Sequence, residues 1–258
     1  MFAENRQYKI YENIQKFGAV TTASLVSEFN VSIETIRRDL LTMEKHGLLK
    51  RVHGGAVENM NMKQFSSLKD RNKEFSEEKR RLSLNAAKFV QECDIISVDE
   101  GSTAIAFAQV LKEKFSMLTV VTHSLDVFNI LCYHNEFEVI LCGGHFVKEE
   151  NAFYGSLVLD TYGKIHVQKA FIFPSAVSIE FGICDYREDL YSVQKQMIKG
   201  ADEIYILADS SKFEKKALLK LADMKNEYYY ITDNKLPAGL EELYKESGIN
   251  IFKGEEQK

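Results

Sequence analysis

Two groups of residues in this 258-residue chain have types and spacings that could do chemistry. The first is Thr35, Arg37, Arg38 and Thr42, with Lys50, Arg51 and His53 following shortly after. A guanidinium such as that of Arg38 can grip a guanine edge with two parallel hydrogen bonds. Thr35 can meet a phosphate or a thymine methyl, Thr42 shares the DNA-binding face, and Arg37, Lys50, Arg51 and His53 can hold the backbone of a duplex. The second group starts at Asp99 and runs through Gly101, Ser102 and Thr103. Gly101 lets backbone approach a ligand, while Ser102, Thr103 and the free N–H groups of a helix start donate to an anion. Asp99 can accept from a sugar hydroxyl. Thr122-His123-Ser124, Gly143-Gly144 and Asp209-Ser210-Ser211-Lys212 offer similar small, hydroxyl or cationic groups that can converge on one pocket.

The first group needs a helix that shows it to solvent. Arg6 to Phe17 has helical apolar spacing and stops at Gly18. Thr21 or Thr22 caps a short helix over 23–29, with Leu25, Val26 and Phe29 on its apolar face. Asn30-Val31-Ser32 then turns the chain, and Ser32 caps a third helix running to Gly47. A short helix, a tight turn and a longer helix make the helix-turn-helix arrangement. At about 100° per residue, Ile33, Ile36, Leu40 and Met43 face inward, opposite Glu34, Thr35, Arg38, Thr42 and Lys45. The plain alternative is a solvated face balanced by Glu34, Asp39 and Glu44. After Gly47, residues 48–57 alternate loosely and turn at Gly54-Gly55, predicting a two-stranded wing.

The second group needs strand ends. Residues 77–92 predict a helix. Apolar runs at 95–98, 118–121, 139–142, 170–173, 204–208 and 228–231 alternate with helical segments near 103–114, 125–134, 156–165, 187–200 and 237–247. That alternation predicts an α/β domain with a mostly parallel sheet covered on both faces. Ligands of such sheets bind beyond the carboxyl ends of the strands. For the Gly101-Ser102-Thr103 loop, a capped helix start with no ligand is the plain alternative.

Charge follows the same division. The net charge is −5, but residues 1–57 hold eight Lys/Arg against six Asp/Glu, a net +2, so the remainder carries −7. The sequence therefore predicts a winged helix-turn-helix over 1–57, a polar linker or helical connector over 58–76 and an α/β domain over 77–258. No run approaches 18 apolar residues, which excludes a spanning helix, and residues 1–6 lack the apolar stretch of a signal peptide. The expectation is a cytoplasmic protein that associates with no membrane. Cys93, Cys132, Cys142 and Cys184 form no close pair and are expected as reduced, buried thiols. No metal, cofactor or catalytic residue is assigned.

The stretch Val31-Ser32-Ile33-Glu34-Thr35-Ile36-Arg37-Arg38-Asp39-Leu40, followed by Glu44, Gly47, Leu48 and Arg51-Val52-His53-Gly54-Gly55-Ala56, closely resembles the winged helix-turn-helix of DeoR-type bacterial transcriptional regulators. Asp99 to Thr103, Thr122 to Leu125, Gly143-Gly144 with Gly155, Leu207 to Phe213 and Ile231-Thr232-Asp233 resemble the sensor domain of the same family. That domain is similar in fold to ribose-5-phosphate isomerase and glucosamine-6-phosphate deaminase. The resemblance implies a repressor that binds double-stranded DNA at an operator and is modulated by a phosphorylated sugar. It places the phosphate on Gly101, Ser102 and Thr103, with Lys212 as counter-charge. Four positions depart from the family pattern: Gln168 in place of Asp, Phe173 in place of Gly, His123 in place of Asn and Val147 in place of Arg. Gln168 and Phe173 would change pocket polarity and volume, up to loss of sugar binding.

Two other readings stand beside it. One is a sugar-phosphate isomerase or deaminase with an accessory head, drawing on Asp185, Glu188 or Asp189 as the base. The other is a DNA-bound protein with a vestigial pocket. In the regulator readings a homo-oligomer, a dimer or higher, is expected, because one short helix reads too few bases. A dimer sets two such helices about 34–36 Å apart.

Overall fold

The computed structural model describes residues 3–45, 48–57, 68–72 and 76–254. The chain divides into two compact units, residues 1–65 with 216–218, and residues 66–215 with 219–258.

The smaller unit opens with α1 (Ala3–Phe17), which buries Ile10, Tyr11 and Ile14. It stops where Gly18, at φ +74°, donates its N–H to the Ile14 carbonyl; that left-handed geometry favours glycine. A short strand, β1 (Ala19–Thr21), leads into α2 (Thr22–Phe29). Thr21 caps α2 by accepting from the Ser24 N–H, and Asn30 ends it in a left-handed conformation. Then come α3 (Ile33–Lys45), β2 (Lys50–Val52) and β3 (Gly55–Val57). The wing is a sheet of order β1-β3-β2, antiparallel throughout. The predicted hairpin is present, but it gains β1 as a third strand, three residues too short to show periodicity. The adjacent glycines of the wing have separate reasons to be glycine. Gly54 turns the hairpin at φ +84°, and a Cβ on Gly55 would lie 2.0 Å from the Val20 carbonyl oxygen of β1.

One inward residue of the third helix differs from expectation. Ile36, Leu40 and Met43 are buried, but Ile33 is about half exposed and Asp39 is buried instead. Ile33 is the first residue of the helix. Asp39 sits within the apolar stripe because Arg6 of α1 meets it there. The helix end expected at Gly47 lies outside the described residues, as do 58–67 and 73–75 of the connecting segment.

In the larger unit, α4 (Leu68–Arg71) and α5 (Ser76–Ala86) precede the sheet. The helix predicted to reach residue 92 tightens into a 3-10 turn at Ala87–Phe89 and ends. There follow β4 (Ile95–Val98), α6 (Ser102–Lys114), β5 (Leu118–Thr122), α7 (Leu125–Leu131), β6 (Phe137–Leu141), β7 (His145–Val147), β8 (Ala152–Tyr154) and α8 (Ser156–Tyr162). The chain continues with β9 (Val167–Ile172), β10 (Ala176–Ser178), β11 (Gly182–Asp185), α9 (Glu188–Lys199), β12 (Ala201–Leu207), β13 (Leu219–Ala222), β14 (Tyr229–Thr232), α10 (Ala238–Glu246) and β15 (Ile251–Lys253).

Seven strands form one parallel sheet of order β15-β14-β12-β9-β4-β5-β6. Alternation sorts its side chains. Phe171, Tyr205, Leu207 and Ile231 pack on one face with Phe107 and Leu111 of α6 and Leu82 of α5. Ala170, Ile172, Ile204, Ile206 and Tyr230 pack on the other with Val158 of α8, Val193 and Met197 of α9 and Tyr244 of α10. From β4 the chain builds outward through β5 and β6, then returns to β4's other side as β9 and builds the opposite way. The β4–β9 junction is therefore the topological switch point, where an open α/β sheet leaves a crevice beyond its carboxyl ends. The hairpin β7-β8 and the antiparallel sheet β10-β11-β13 were not read from the sequence.

Candidate functional site

The first candidate site is the outer face of α3 and the wing. Ser32 caps the helix, its hydroxyl accepting the Thr35 N–H at 3.1 Å and lying 2.8 Å from the Thr35 hydroxyl. Ser32 is thus engaged in holding the helix start. The Arg38 side chain is exposed and makes no ion pair or hydrogen bond among the described residues. Arg37 lies 3.6 Å from Glu34, with both side chains mostly exposed; such surface pairs are worth about 0–1 kcal/mol and yield readily to a better anion. Thr42 is half-buried on the flank, and Lys50 and His53 are exposed on the wing.

The other carboxylates of α3 are engaged away from this face. Asp39 is buried against Arg6, which donates from Nε and, at 3.2 Å, from Nη2, while Gln7 adds a bond at 3.1 Å. Glu44 accepts the Arg51 N–H at 2.7 Å and lies 3.8 Å from the Arg51 guanidinium. The expected balance of Arg37 and Arg38 by Glu34, Asp39 and Glu44 therefore reduces to Glu34 alone. What remains is a helix with a net cationic, solvent-facing surface beside a basic wing.

The second candidate site lies at the switch point. Asp99 follows β4 and Phe173 follows β9, and the Phe173 N–H donates to Asp99 Oδ2 at 3.1 Å across the junction. Gln194 of α9 donates to the same oxygen at 2.9 Å and to Asp185 Oδ2 at 3.1 Å. Asp99 and His123 are wholly buried, with Asp99 Oδ1 3.6 Å from His123 Nε2, and neither atom has a hydrogen-bond partner among the described residues. Burial raises the Asp99 carboxyl to about 7, against three hydrogen bonds that lower it, with the Asp185 charge adding to the rise. Burial lowers His123 to about 3, so its ring is neutral at physiological pH. On the far side, His123 Nδ1 lies 3.4 Å from the Tyr162 hydroxyl, and burial pushes the nearby Cys142 thiol up to about 12.

Ionisable groups continue outward from Asp99. Burial, reinforced by the charges of Glu150 and Asp99, raises the Glu100 carboxyl well above its ordinary range. Arg71 donates from Nη2 to Glu150. Lys212 is half-buried; its N–H donates to the Asp209 carbonyl at 2.9 Å, while its ammonium makes no hydrogen bond or ion pair among the described residues. Burial lowers its pKa, and its field includes Asp209, Arg71 and Asp185. Helix α6 starts beside this cluster on Gly101, at φ +106°, with no side-chain cap. Its first N–H groups, next to Ser102 and Thr103, are thus left for another acceptor.

Other expected ligand groups are used by the fold. The Thr122 hydroxyl donates to the Val98 carbonyl and accepts the Ser124 N–H, and Ser124 Oγ caps α7. Gly144 packs against the Tyr154 carbonyl, whereas Gly143 is exposed with open space where a Cβ would stand. Gln168 is not at the pocket. It is the second residue of β9, exposed at the amino end of the sheet, and it accepts the Ile95 N–H at 2.7 Å. Its replacement of a carboxylate therefore leaves the crevice untouched. Phe173 and His123 do reach the crevice, while Val147 is buried in the β7-β8 hairpin. None of the four cysteines is in a disulfide, but only Cys142 and Cys184 are buried; Cys93 is exposed, on a turn after the 3-10 segment.

Sequence reasoning missed Arg71, Glu100, Glu150 and Gln194. Gln194 carried a signal, since it lies one helical turn from Leu190 on the buried face of α9. Arg71 sits in a polar stretch that reads as connector, although Arg71-Asn72 resembles the segment that DeoR-type regulators have at this place.

Together these features define a winged helix-turn-helix DNA-binding regulator with an α/β sensor unit. The model of the DeoR-like helix-turn-helix domain matches residues 6–61, and that of the DeoR C terminal sensor domain matches residues 74–234. The chain belongs to the DeoR family of transcriptional regulators. It is 30% identical over 244 residues to the L-fucose operon activator of Haemophilus influenzae, covering 95% of this chain and 97% of that protein. It is 29% identical to the HTH-type transcriptional repressor GlcR of Bacillus subtilis, covering 98% and 96%, and 26% identical to a putative aga operon transcriptional repressor of Escherichia coli O157:H7, covering 96% and 92%. Among solved structures it is similar to ribose 5-phosphate isomerase A of Methanocaldococcus jannaschii, at TM-score 0.41 and 19% identity over 55% of this chain and 56% of that one. The protein is a DNA-binding transcriptional regulator and not an enzyme. No helix among the described residues is long and apolar enough to cross a membrane.

Proposed function

We propose that the protein is a cytoplasmic repressor of sugar-metabolism genes that reads its operator with α3 and the wing and is modulated by a phosphorylated sugar in the crevice beyond β4 and β9. On DNA, Arg38 reads a guanine edge, Thr35 and Thr42 make nearby groove contacts, and Arg37, Lys50, Arg51 and His53 hold phosphates. Ser32 supports them by fixing the first turn of α3. In the crevice, Gly101, Ser102 and Thr103 take the phosphate at the start of α6, with Lys212 as counter-charge. Asp99 addresses a sugar hydroxyl through its unpartnered oxygen, and Gly143 and Gly144 shape the wall. Thr122 and Ser124 contribute by holding the strand end in place. Because a single α3 spans only a few base pairs, the working form is a homo-oligomer presenting two such helices.

The observation that carries the sensing role is an uncapped helix start on Gly101 together with Lys212, whose half-buried ammonium makes no hydrogen bond or ion pair among the described residues. Groups of that kind favour an anion. The relatives' names point to sugar operons, which gives the anion its class. The test is binding of the full-length protein to DNA from upstream of its own gene, followed by anisotropy while sugar monophosphates and their unphosphorylated parents are titrated in. At least one monophosphate is expected to shift the DNA affinity, and the parent sugars are not. If phosphorylated and plain sugars are equally without effect, the sensing role fails, and if the fragment binds no better than random DNA, the operator role fails.

A further inference from the structure

Glu100 stands apart from the other acidic groups of the larger unit. It directly precedes the Gly101 start of α6 and is only 7% exposed, yet its side chain makes no hydrogen bond or ion pair among the described residues. Buried carboxylates are ordinarily paired, because an unpaired charge out of water is costly. The charges of Asp99 beside it, Asp185 at the end of β11 and Glu150 in the turn between β7 and β8 all act on Glu100. Against them stands Arg71, which is already engaged with Glu150. Arg187, whose charge also reaches Glu150, is paired with Asp189 at 2.7 Å. Unfilled acceptors accompany this excess of negative charge. Gln194 directs its side-chain N–H donors to Asp99 and Asp185. Its buried Oε1, like Asp99 Oδ1 and Glu100 Oε2, has no hydrogen-bond partner among the described residues.

We infer that the ligand of the larger unit bears a primary amine as well as its phosphate, an amino-sugar phosphate, with Glu100 as the counter-charge of the ammonium. The inference rests on the sugar-phosphate reading of this unit and names the class of sugar. Two neighbouring stretches ask for opposite charges. The open N–H groups at the start of α6 and the Lys212 ammonium suit an anion, whereas the cluster around Glu100 is short of donors and of positive charge. A sugar hydroxyl brings one donor and leaves the repulsion between carboxylates as it was. An ammonium brings three N–H donors and a full positive charge. A ligand charged only at its phosphate adds to the negative excess; one that also carries an ammonium offsets it. Without ligand, burial and the neighbouring carboxyls keep a proton on Glu100. The ammonium displaces that proton to solvent and turns a neutral acid into one half of a buried ion pair. A Glu100 that served only the fold would treat amino and hydroxyl ligands alike.

The test uses the full chain, wild type and with Glu100→Gln and Glu100→Asp. The probes are glucosamine-6-phosphate and galactosamine-6-phosphate, their N-acetyl derivatives, glucose-6-phosphate, galactose-6-phosphate and inorganic phosphate. An amino compound is expected to bind wild type at least about tenfold more tightly than its hydroxyl parent. N-acetylation, which removes the charge, is expected to cancel that gain. Calorimetry at about pH 6.5, where an aliphatic amine is protonated, in buffers of different ionisation heat should show more protons released with the amino compound than with its parent. Glu100→Gln is expected to lose both the preference and the extra proton release, and Glu100→Asp to keep part of each. A wild-type protein that binds amino and hydroxyl compounds equally overturns the assignment, and that comparison holds even if the variants fail to fold. A Glu100→Gln protein that keeps the preference, or that weakens both kinds of ligand alike, overturns it too. The sensing role is decided separately, by whether any sugar monophosphate shifts DNA affinity.

Discussion

The two units handle charge in opposite ways. In the smaller one the groups that matter are exposed, and the carboxylates that would neutralise them are drawn off. Asp39 goes inward to Arg6, and Glu44 goes across to the wing at Arg51. In the larger one the groups that matter are buried and incompletely paired: Asp99 Oδ1, Glu100 Oε2, His123 Nε2 and Gln194 Oε1 all lack hydrogen-bond partners among the described residues. Exposed cations suit a large polyanion that brings its own counterions to release. Buried unpaired donors and acceptors are costly unless something small completes them. The contrast separates a surface open to a duplex from a buried polar cluster within the other unit.

The largest effect tests how the smaller unit keeps its outer face free. Arg6→Ala leaves Asp39 as an uncompensated buried charge, expected to destabilise that unit by about 3–5 kcal/mol. Thermal unfolding monitored in the isolated transition of that unit would show it, and a change below about 1 kcal/mol would mean the pair is ornamental.

The next test addresses the buried cluster through pH. Asp99, at about 7 in the folded protein against 3.8 ordinarily, keeps a proton that the unfolded chain has already released, so its contribution to stability falls as pH rises from about 4 to 7. His123, at about 3 against 6.5, refuses a proton that the unfolded chain accepts, so its contribution rises between about pH 3 and 6.5. Asp99→Asn removes only the first trend. Denaturation across pH should show the variant gaining on wild type as pH climbs from 4, with the largest advantage above pH 7. A variant that loses ground over that range would contradict the burial-driven shift.

The smallest effect returns to the surface. Glu34→Gln removes the one carboxylate still beside Arg37, and it should change stability by less than about 0.5 kcal/mol while tightening DNA binding. Unfolding and anisotropy on the same preparation would separate the two. A stability loss above 1 kcal/mol would show that the pair is structural.

Much of this organisation was legible in the residues. The helix-turn-helix announced itself through Thr21, Ser32 and Gly18, whose caps and stop depend on local chemistry that a sequence carries in full. Strand β4 was read at its observed limits, because Ile95 to Val98 is a continuous apolar run ended by Asp99. The shorter strands, such as β1 and β7, were silent, since three residues cannot display a period. Ile33 was misplaced because periodicity cannot say where a neighbouring helix ends. Gln168 was misassigned to the pocket for a related reason: a resemblance gives a column but not the end of the sheet at which it lies. The partners of Asp99 come from β9 and α9, 74 and 95 residues away, and only the folded topology brings them together.

The central claim is that Arg38 faces a DNA base rather than a partner within the protein. Equilibrium binding of wild type and Arg38→Ala to the upstream fragment and to random DNA of equal length, at fixed salt, tests it most directly. The expected result is a loss of about 1–3 kcal/mol on the upstream fragment, with relaxed preference at one base pair and little change on random DNA. Equal weakening on both DNAs, or none on either, would contradict it.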